Sequence, residues 1–195
     1  LQITDGAVRQ ALVPLTGGQS KVADAGAFFV VCGDVRRHRL ICDDAGVSYD
    51  ARLEAFLVAA VDASLFAQNL VVAFEAQGYG VCYVGGLRND LDAVDELLDL
   101  PLGVYPLYGL CVGVPAEEPL ERPRLPLDAV WSKDQVPSDD ALRAHLTAYD
   151  ADYAAYMERR SGKARGWTGS MARKYVSPAR DHIAAYYRRK GAVLD

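Results

Sequence analysis

The run FLVAAVDASLFAQNLVVAF, residues 56–74, limits the possible folds of this chain more than any other stretch. It predicts a long helix over 51–78, stopped by Gly78 at its C-terminal cap. Its apolar positions cover most of the circumference, so the helix needs neighbours on nearly every side. Asp62, Gln68 and Asn69 interrupt the run, which favours a buried helix of a soluble protein over a membrane span. Such a helix belongs in the middle of something, a subunit interface among the candidates. A hydrogen bond at that interface is the simplest account of Asp62.

The surrounding pattern supplies a sheet. AFFVVCGD (27–34) is a continuous apolar run and reads as a buried strand, while GVCYVGG (80–86) and VYPLYGLCVGVP (104–115) read as two more. NDLDAVDELLDL (89–100) is an amphipathic helix with Leu91, Val94, Leu97 and Leu98 on one face, Asn89 or Asp90 as its cap and Pro101 beyond. EEPLERPRLP (117–126) is extended and rich in proline. A helix from about 138 to 156 follows, then a basic loop, RRSGKARGW (159–167), and a last helix over about 178–190. Strands alternating with helices imply a sheet covered by helices, an α+β body. The change in composition divides the chain into a core, 1–126, and a helical basic arm, 127–195.

The formal net charge of −5 argues against nucleic acid as the main partner, but the average hides an asymmetry. From Arg159 onward there are ten Lys and Arg against Asp181 and Asp195, so the tail is +8 and the remainder −13. An anionic ligand or an acidic neighbouring surface fits that tail. GDVRRHRL (33–40) is read as a solvated loop. Cys32, Cys42, Cys82 and Cys111 contain no CxxC pair, so neither a disulfide framework nor a zinc site is expected. His38, His145 and His182 lack ligand spacing and are expected at the surface; no metal is anticipated. No signal peptide is read, and a reducing cytoplasmic setting suits the free thiols.

GYGVCYVGGLRND (78–90) poses the functional question. Glycine stands where backbone turns sharply or meets another group closely, and Gly85-Gly86 has no room for a side chain if the approach is close. A Rossmann fingerprint fails, because Tyr83 occupies the third glycine position. A Walker loop fails too, because Gly86 and Leu87 stand where Lys and Ser/Thr are needed. Two readings remain from the residues alone: a tight strand-to-helix turn, or backbone amides offered to the edge of a flat heterocycle.

The ordered set LTGGQ, YVGGLRN, PLYGLCVG and RPRLP resembles the FMN-dependent nitroreductase family, in its NADPH-preferring branch of oxygen-insensitive nitroreductases and flavin reductases. The likeness runs from Ile3 through the basic tail. It implies a nitroreductase-like three-layer α-β-α sandwich with a C-terminal arm, assembled as a homodimer with helix 51–77 at the seam. FMN would lie over the Tyr83, Val84, Gly85 and Gly86 backbone, with Gln19 a polar partner of the ring and Arg122 and Arg124 near phosphate and ring. Arg122 departs from the lysine usual in the family and trades a point ammonium for a planar fork. Arg88, Arg160, Lys163, Arg165 and Arg180 would hold NADPH, Arg160 and Arg165 near its 2′-phosphate, where several guanidinium forks suit a dianion.

The resemblance further implies hydride transfer from NADPH through FMN to nitroaromatics, quinones or free flavin by a ping-pong scheme. The flavin would carry the chemistry, with no catalytic side chain. Family members begin with a His-Arg-Ser-type segment that grips the FMN phosphate, and nothing before Ile3 supplies it. As written, the sequence is expected to bind FMN poorly. Two other classes therefore stay open: a non-catalytic dimeric remnant of the same fold, and an FMN-sequestering module.

Overall fold

A computed structural model describes residues 1–176 and 179–194 and divides them into two compact units. The first comprises Leu1–Ala116 together with the tail from Arg180, and the second is Glu117–Ala179.

Four strands build the first unit: β1 (Gln2–Ile3), β2 (Ala27–Asp34), β3 (Gly80–Val84) and β4 (Val104–Gly113). They form one antiparallel sheet in the order β1-β2-β4-β3, so both long apolar strands lie next to each other at its centre. Period-two alternation sorts the side chains between two faces. Phe28, Val30, Val84 and Cys111 point one way and pack with Leu12, Val22, Leu87 and Val94. These partners come from α1 (Gly6–Leu15), α2 (Lys21–Asp24), a 3₁₀ turn (Gly85–Asn89) and α5 (Leu91–Leu98). Ala27, Phe29, Val81, Leu110 and Val112 point the other way, onto Leu70, Val71 and Phe74 of α4 (Leu53–Glu75). Helices on both faces make the three layers.

The expected strands and the helix after the glycines form, with Asp90 as the cap accepting from the Ala93 amide at 3.0 Å. Five helices were not anticipated: α1, α2, α3 (Arg36–Asp44), α6 (Leu127–Val130) and α8 (Trp167–Val176). The stretch read as a solvated basic loop is mostly α3, which has no buried residue; a helix with only a shallow contact leaves no apolar period to read. His182 is partly exposed, although its Nε2 is buried without a partner.

α4 packs on the sheet along one stripe only. It was expected to lie in the middle of something, a subunit interface among the candidates; within this one chain only Ala67 and Val71 are buried, and Leu57, Val61, Leu65, Phe66 and Val72 are exposed. A single layer of sheet can cover only one stripe of a helix. Among the described residues α4 is also the one helix long and apolar enough to cross a membrane, by length and composition. Asp62 is exposed on it.

The chain returns to the first unit through α9 (Ile183–Arg189); Pro178, expected to open this helix, lies outside the described residues. Tyr186 and Tyr187 enter the core, and the Tyr187 hydroxyl donates to the Pro106 carbonyl at 2.7 Å. Lys190 reaches both carboxylate oxygens of Asp95 at 2.9 and 3.0 Å and the Leu100 carbonyl at 2.6 Å.

The second unit is organised by α7 (Asp139–Ser161), with α6 (Leu127–Val130) before it and α8 after it. Ser138 caps α7, acids occupy its first turn and Arg159 and Arg160 its last, each sign suiting the helix dipole there. Asp150 accepts from the Thr168 amide and hydroxyl, both at 2.8 Å, and so fixes the start of α8.

Candidate functional site

At the end of β3 the backbone passes from Val84, paired with Gly109, into the 3₁₀ turn. The first amides of such a turn have no acceptor within it, and no side chain caps them. Gly85 and Gly86 are glycines for different reasons. A methyl group on Gly86 would collide with the Thr16 carbonyl oxygen and come within 2.6 Å of Gln19 Nε2. On Gly85 it would meet only Arg88 Nη2, at 3.6 Å. The close approach to Gly86 is thus made by the protein itself, whereas the Gly85 backbone has room beside it.

The segment pressed against Gly86 is the LTGGQ loop. Thr16 is buried, and its hydroxyl donates to the Leu12 and Val13 carbonyls at 3.0 and 2.9 Å. Gly17 and Gly18, with φ of 83° and 74°, turn the chain so that Gln19 Nε2 donates back to the Thr16 carbonyl at 2.6 Å. Gln19 is half-buried against the glycine turn. Tyr83 is 44% exposed, its hydroxyl donating to Gln68 Oε1 at 3.0 Å and its ring set edge-on to Tyr108, 5.5 Å between centroids. Val84 is fully buried and contributes only backbone.

Arg88 and Arg180 meet beside this turn. Arg88 donates to the Leu107 carbonyl. Arg180 grips Asn89 Oδ1 with Nε at 3.1 Å and Nη2 at 2.7 Å. Burial, then the Arg88 charge, holds Arg180 below the usual guanidinium range. Two like charges are therefore held close by uncharged oxygens, an arrangement that favours an anion nearby. Asn89 was not singled out in the sequence as the holder of Arg180, though it stands within YVGGLRN.

In the second unit Arg122, Arg124 and Arg160 line one cavity of about 850 Å³ with Glu117, Glu118, Glu121 and Tyr156. Tyrosines position two of the cations: Arg122 lies 5.2 Å from the Tyr153 ring centroid, and Arg160 Nη1 donates to the Tyr156 hydroxyl at 3.3 Å. Tyr149, Tyr153 and Tyr156 stand at i, i+4 and i+7 on α7, a stripe whose spacing was legible but not used. Lys163 and Arg165 are exposed in the loop after α7 and do not line that cavity.

Of the anticipated cofactor residues, then, Gln19 and Tyr83–Gly86 come together in the first unit, and Arg122 and Arg124 in the second. Of the anticipated nucleotide residues, Arg88 and Arg180 come together in the first, while Arg160, Lys163 and Arg165 belong to the second.

Comparison with known proteins agrees along the chain. Residues 2–114 match the model of the Nitroreductase family and residues 122–195 that of the Nitroreductase family C-terminal domain. An oxygen-insensitive NADPH nitroreductase of Salmonella typhimurium is 41% identical, the match covering 98% of this chain and 78% of that protein. An FMN reductase (NADPH) of Bacillus subtilis is 37% identical over 97% of this chain and 78% of its own length. Among solved structures, the NADPH:FMN oxidoreductase of Vibrio harveyi complexed with NAD⁺ superposes with a TM-score of 0.88 at 33% identity, covering all of this chain and 80% of that one.

Proposed function

The chain belongs to the nitroreductase family, and from that premise we propose that it is an NADPH-dependent flavin oxidoreductase acting on nitroaromatics, quinones or free flavin. The observation that carries the reading is the Arg88–Arg180 pair, two cations held by neutral oxygens next to an uncapped backbone turn. Such a pair suits a phosphate-bearing ligand better than a neutral one.

The residues present fit FMN on one local test. No protein atom stands closer than Arg88 Nη2, at 3.6 Å, to a methyl group placed on Gly85, and the turn's leading amides are uncapped donors. When bound, FMN supplies hydride acceptance from NADPH and hydride delivery to the acceptor. The chain's own part is positional and electrostatic. The Tyr83–Gly86 backbone and Gln19 would hold the ring edge, with main-chain amides favouring added negative charge there. Arg122 and Arg124 would supply positive charge for the cofactor. Arg88, Arg160, Lys163, Arg165 and Arg180 would receive NADPH. No side chain is asked to be a nucleophile or a general base.

The working form we propose is a homodimer seamed along α4, whose uncovered Leu57, Val61, Leu65 and Phe66 are what a second copy would bury. Reductant and acceptor would use one position in turn, which predicts parallel double-reciprocal plots.

A visible spectrum tests the core of this reading. Absorbance near about 450 nm, bleached by NADPH, is expected of the enzyme. Bound flavin that NADPH does not bleach would indicate a flavin-sequestering protein, and a colourless protein that cannot be reconstituted would overturn the flavin reading. Changing Arg160 and Arg165 to Ala should weaken NADPH far more than NADH. Equal losses would remove the 2′-phosphate role.

A further inference from the structure

Another reactive arrangement lies on β3 and β4, outside the oxidoreductase reading and independent of it. The register sets Cys82 directly opposite Cys111. Such residues on neighbouring antiparallel strands have Cα atoms about 4.5–5.5 Å apart, inside the range of roughly 4.4–6.8 Å that a disulfide spans. Both side chains are on the sheet face that carries Phe28 and Val30.

The two sulfurs differ in surroundings. Cys111 is buried, its thiol donating to the Lys21 carbonyl at 3.4 Å, and burial followed by the neighbouring Cys82 pushes that thiol up to about 11. Cys82 is only half-buried, with Lys21 Nζ 3.2 Å from its sulfur and the Tyr83 carbonyl at 3.6 Å. Lys21 thus touches both cysteines, one through its main chain and the other through its ammonium. An ammonium donates and cannot accept, so Lys21 sets a positive charge directly beside the Cys82 sulfur and none beside that of Cys111, which meets only its carbonyl. Cys32, by contrast, is pushed up to about 11, mainly by burial, and its thiol faces the Val30 carbonyl at 3.8 Å.

We propose that Cys82 and Cys111 form a redox-active dithiol whose substrate is a low-molecular-weight disulfide, Cys82 attacking, Cys111 resolving and Lys21 setting that order. Cys82 loses its proton to water, and its sulfur attacks one sulfur of the small disulfide R–S–S–R. The R–S–S–R bond breaks, a Cys82–S–S–R bond forms and RS⁻ leaves. Cys111, deprotonated in turn, attacks the Cys82 sulfur and expels the second RS⁻. The two released protons end on the two leaving thiolates. Two cysteine thiols are oxidised to one disulfide, and one small disulfide is reduced to two thiols. The bridge closes one residue before Tyr83 and draws Cys82 away from Lys21.

Glutathione disulfide is the probe. The whole folded chain is incubated with it, free thiols are capped by alkylation and peptides are read by mass spectrometry. A Cys82–Cys111 bridge with Cys32 and Cys42 still alkylated supports the proposal. Cys111→Ala should stop at a glutathione adduct on Cys82, and Cys82→Ser should leave Cys111 unmodified. Lys21→Met should slow adduct formation about tenfold, with Lys21→Arg restoring it. Where Cys111→Ala does not fold, as judged by circular dichroism, Cys82→Ser carries the test. The proposal fails if Cys32 or Cys42 reacts before Cys82, if the wild-type adduct never resolves, if no cysteine reacts, or if Lys21→Met reacts as fast as the wild type.

Discussion

The two units of this chain are held by different forces. In the first, Leu12, Val22, Phe28, Val30, Val84, Leu87, Leu91, Val94 and Leu110 are all fully buried around a sheet. In the second, the buried side chains among the described residues are Tyr149, Tyr156 and Met157, and α7 meets its neighbours largely through rings, cations and hydrogen bonds. Apolar burial contributes roughly 1.5–3 kcal/mol for each large side chain, whereas exposed cation–ring contacts contribute about 0.5–1. The first unit is therefore expected to be brittle and precisely packed, and the second to tolerate exchange of side chains at little cost to stability. Charge follows the same division of labour. Between Arg159 and Lys174 six basic residues occur with no acid among them, so the second unit offers charge where the first offers shape.

The largest test of this contrast is Gly86→Ala. Its new methyl group would meet main-chain atoms of Thr16 that cannot swing aside, and a loss of about 3 kcal/mol is expected in chemical denaturation. Gly85→Ala should cost less than about 0.5 kcal/mol. Similar losses at both positions would erase the distinction between the two glycines.

Next is Lys190→Met, which strands Asp95 in a largely buried pair and should cost about 2–3 kcal/mol. A neutral outcome would mean that α9 is held by Tyr186 and Tyr187 alone.

In the second unit, Asp150→Ala removes the acceptor that fixes the start of α8 and should cost about 1 kcal/mol, read locally by Trp167 fluorescence. The same carboxyl gives a pH test. Hydrogen bonding from the Thr168 backbone holds Asp150 below the usual carboxylate range. A group depressed in the folded state stabilises the fold above its unfolded value, near pH 4, and that contribution is lost as pH falls through the lower folded value. The Trp167 signal should therefore change in acid, and Asp150→Asn should flatten that response. The smallest effect on stability is expected from Arg122→Ala and Arg160→Ala, each within about 0.5 kcal/mol by thermal melting. A larger loss would show that these cations brace the second unit.

Strands and their neighbours were legible because a buried strand leaves an unbroken apolar run, as in AFFVVCGD. α3 was not, because RRHRLICDD lies shallowly and its charges mask the helical period. Pro14 inside α1 hid another helix. Around the candidate site the glycine pair announced itself, but its cause did not. The carbonyl that forbids a side chain at Gly86 belongs to Thr16, about seventy positions earlier, and no local pattern records that approach. Arg180 likewise reached Asn89 only through the return of the tail to the sheet. α4 was legible as a helix with an apolar surface on most sides, but hydropathy tells that a face avoids water and not which molecule covers it.

The contact between Thr16 and Gly86 has a consequence for how such proteins can diverge. Loops that touch through main chain have to be inherited together. A chimera taking its glycine turn from one relative and its LTGGQ segment from another inherits two halves of a lock cut for different keys, while Gly85, where an added methyl group would meet only the flexible end of Arg88, is left as the position where new variants can be sampled first.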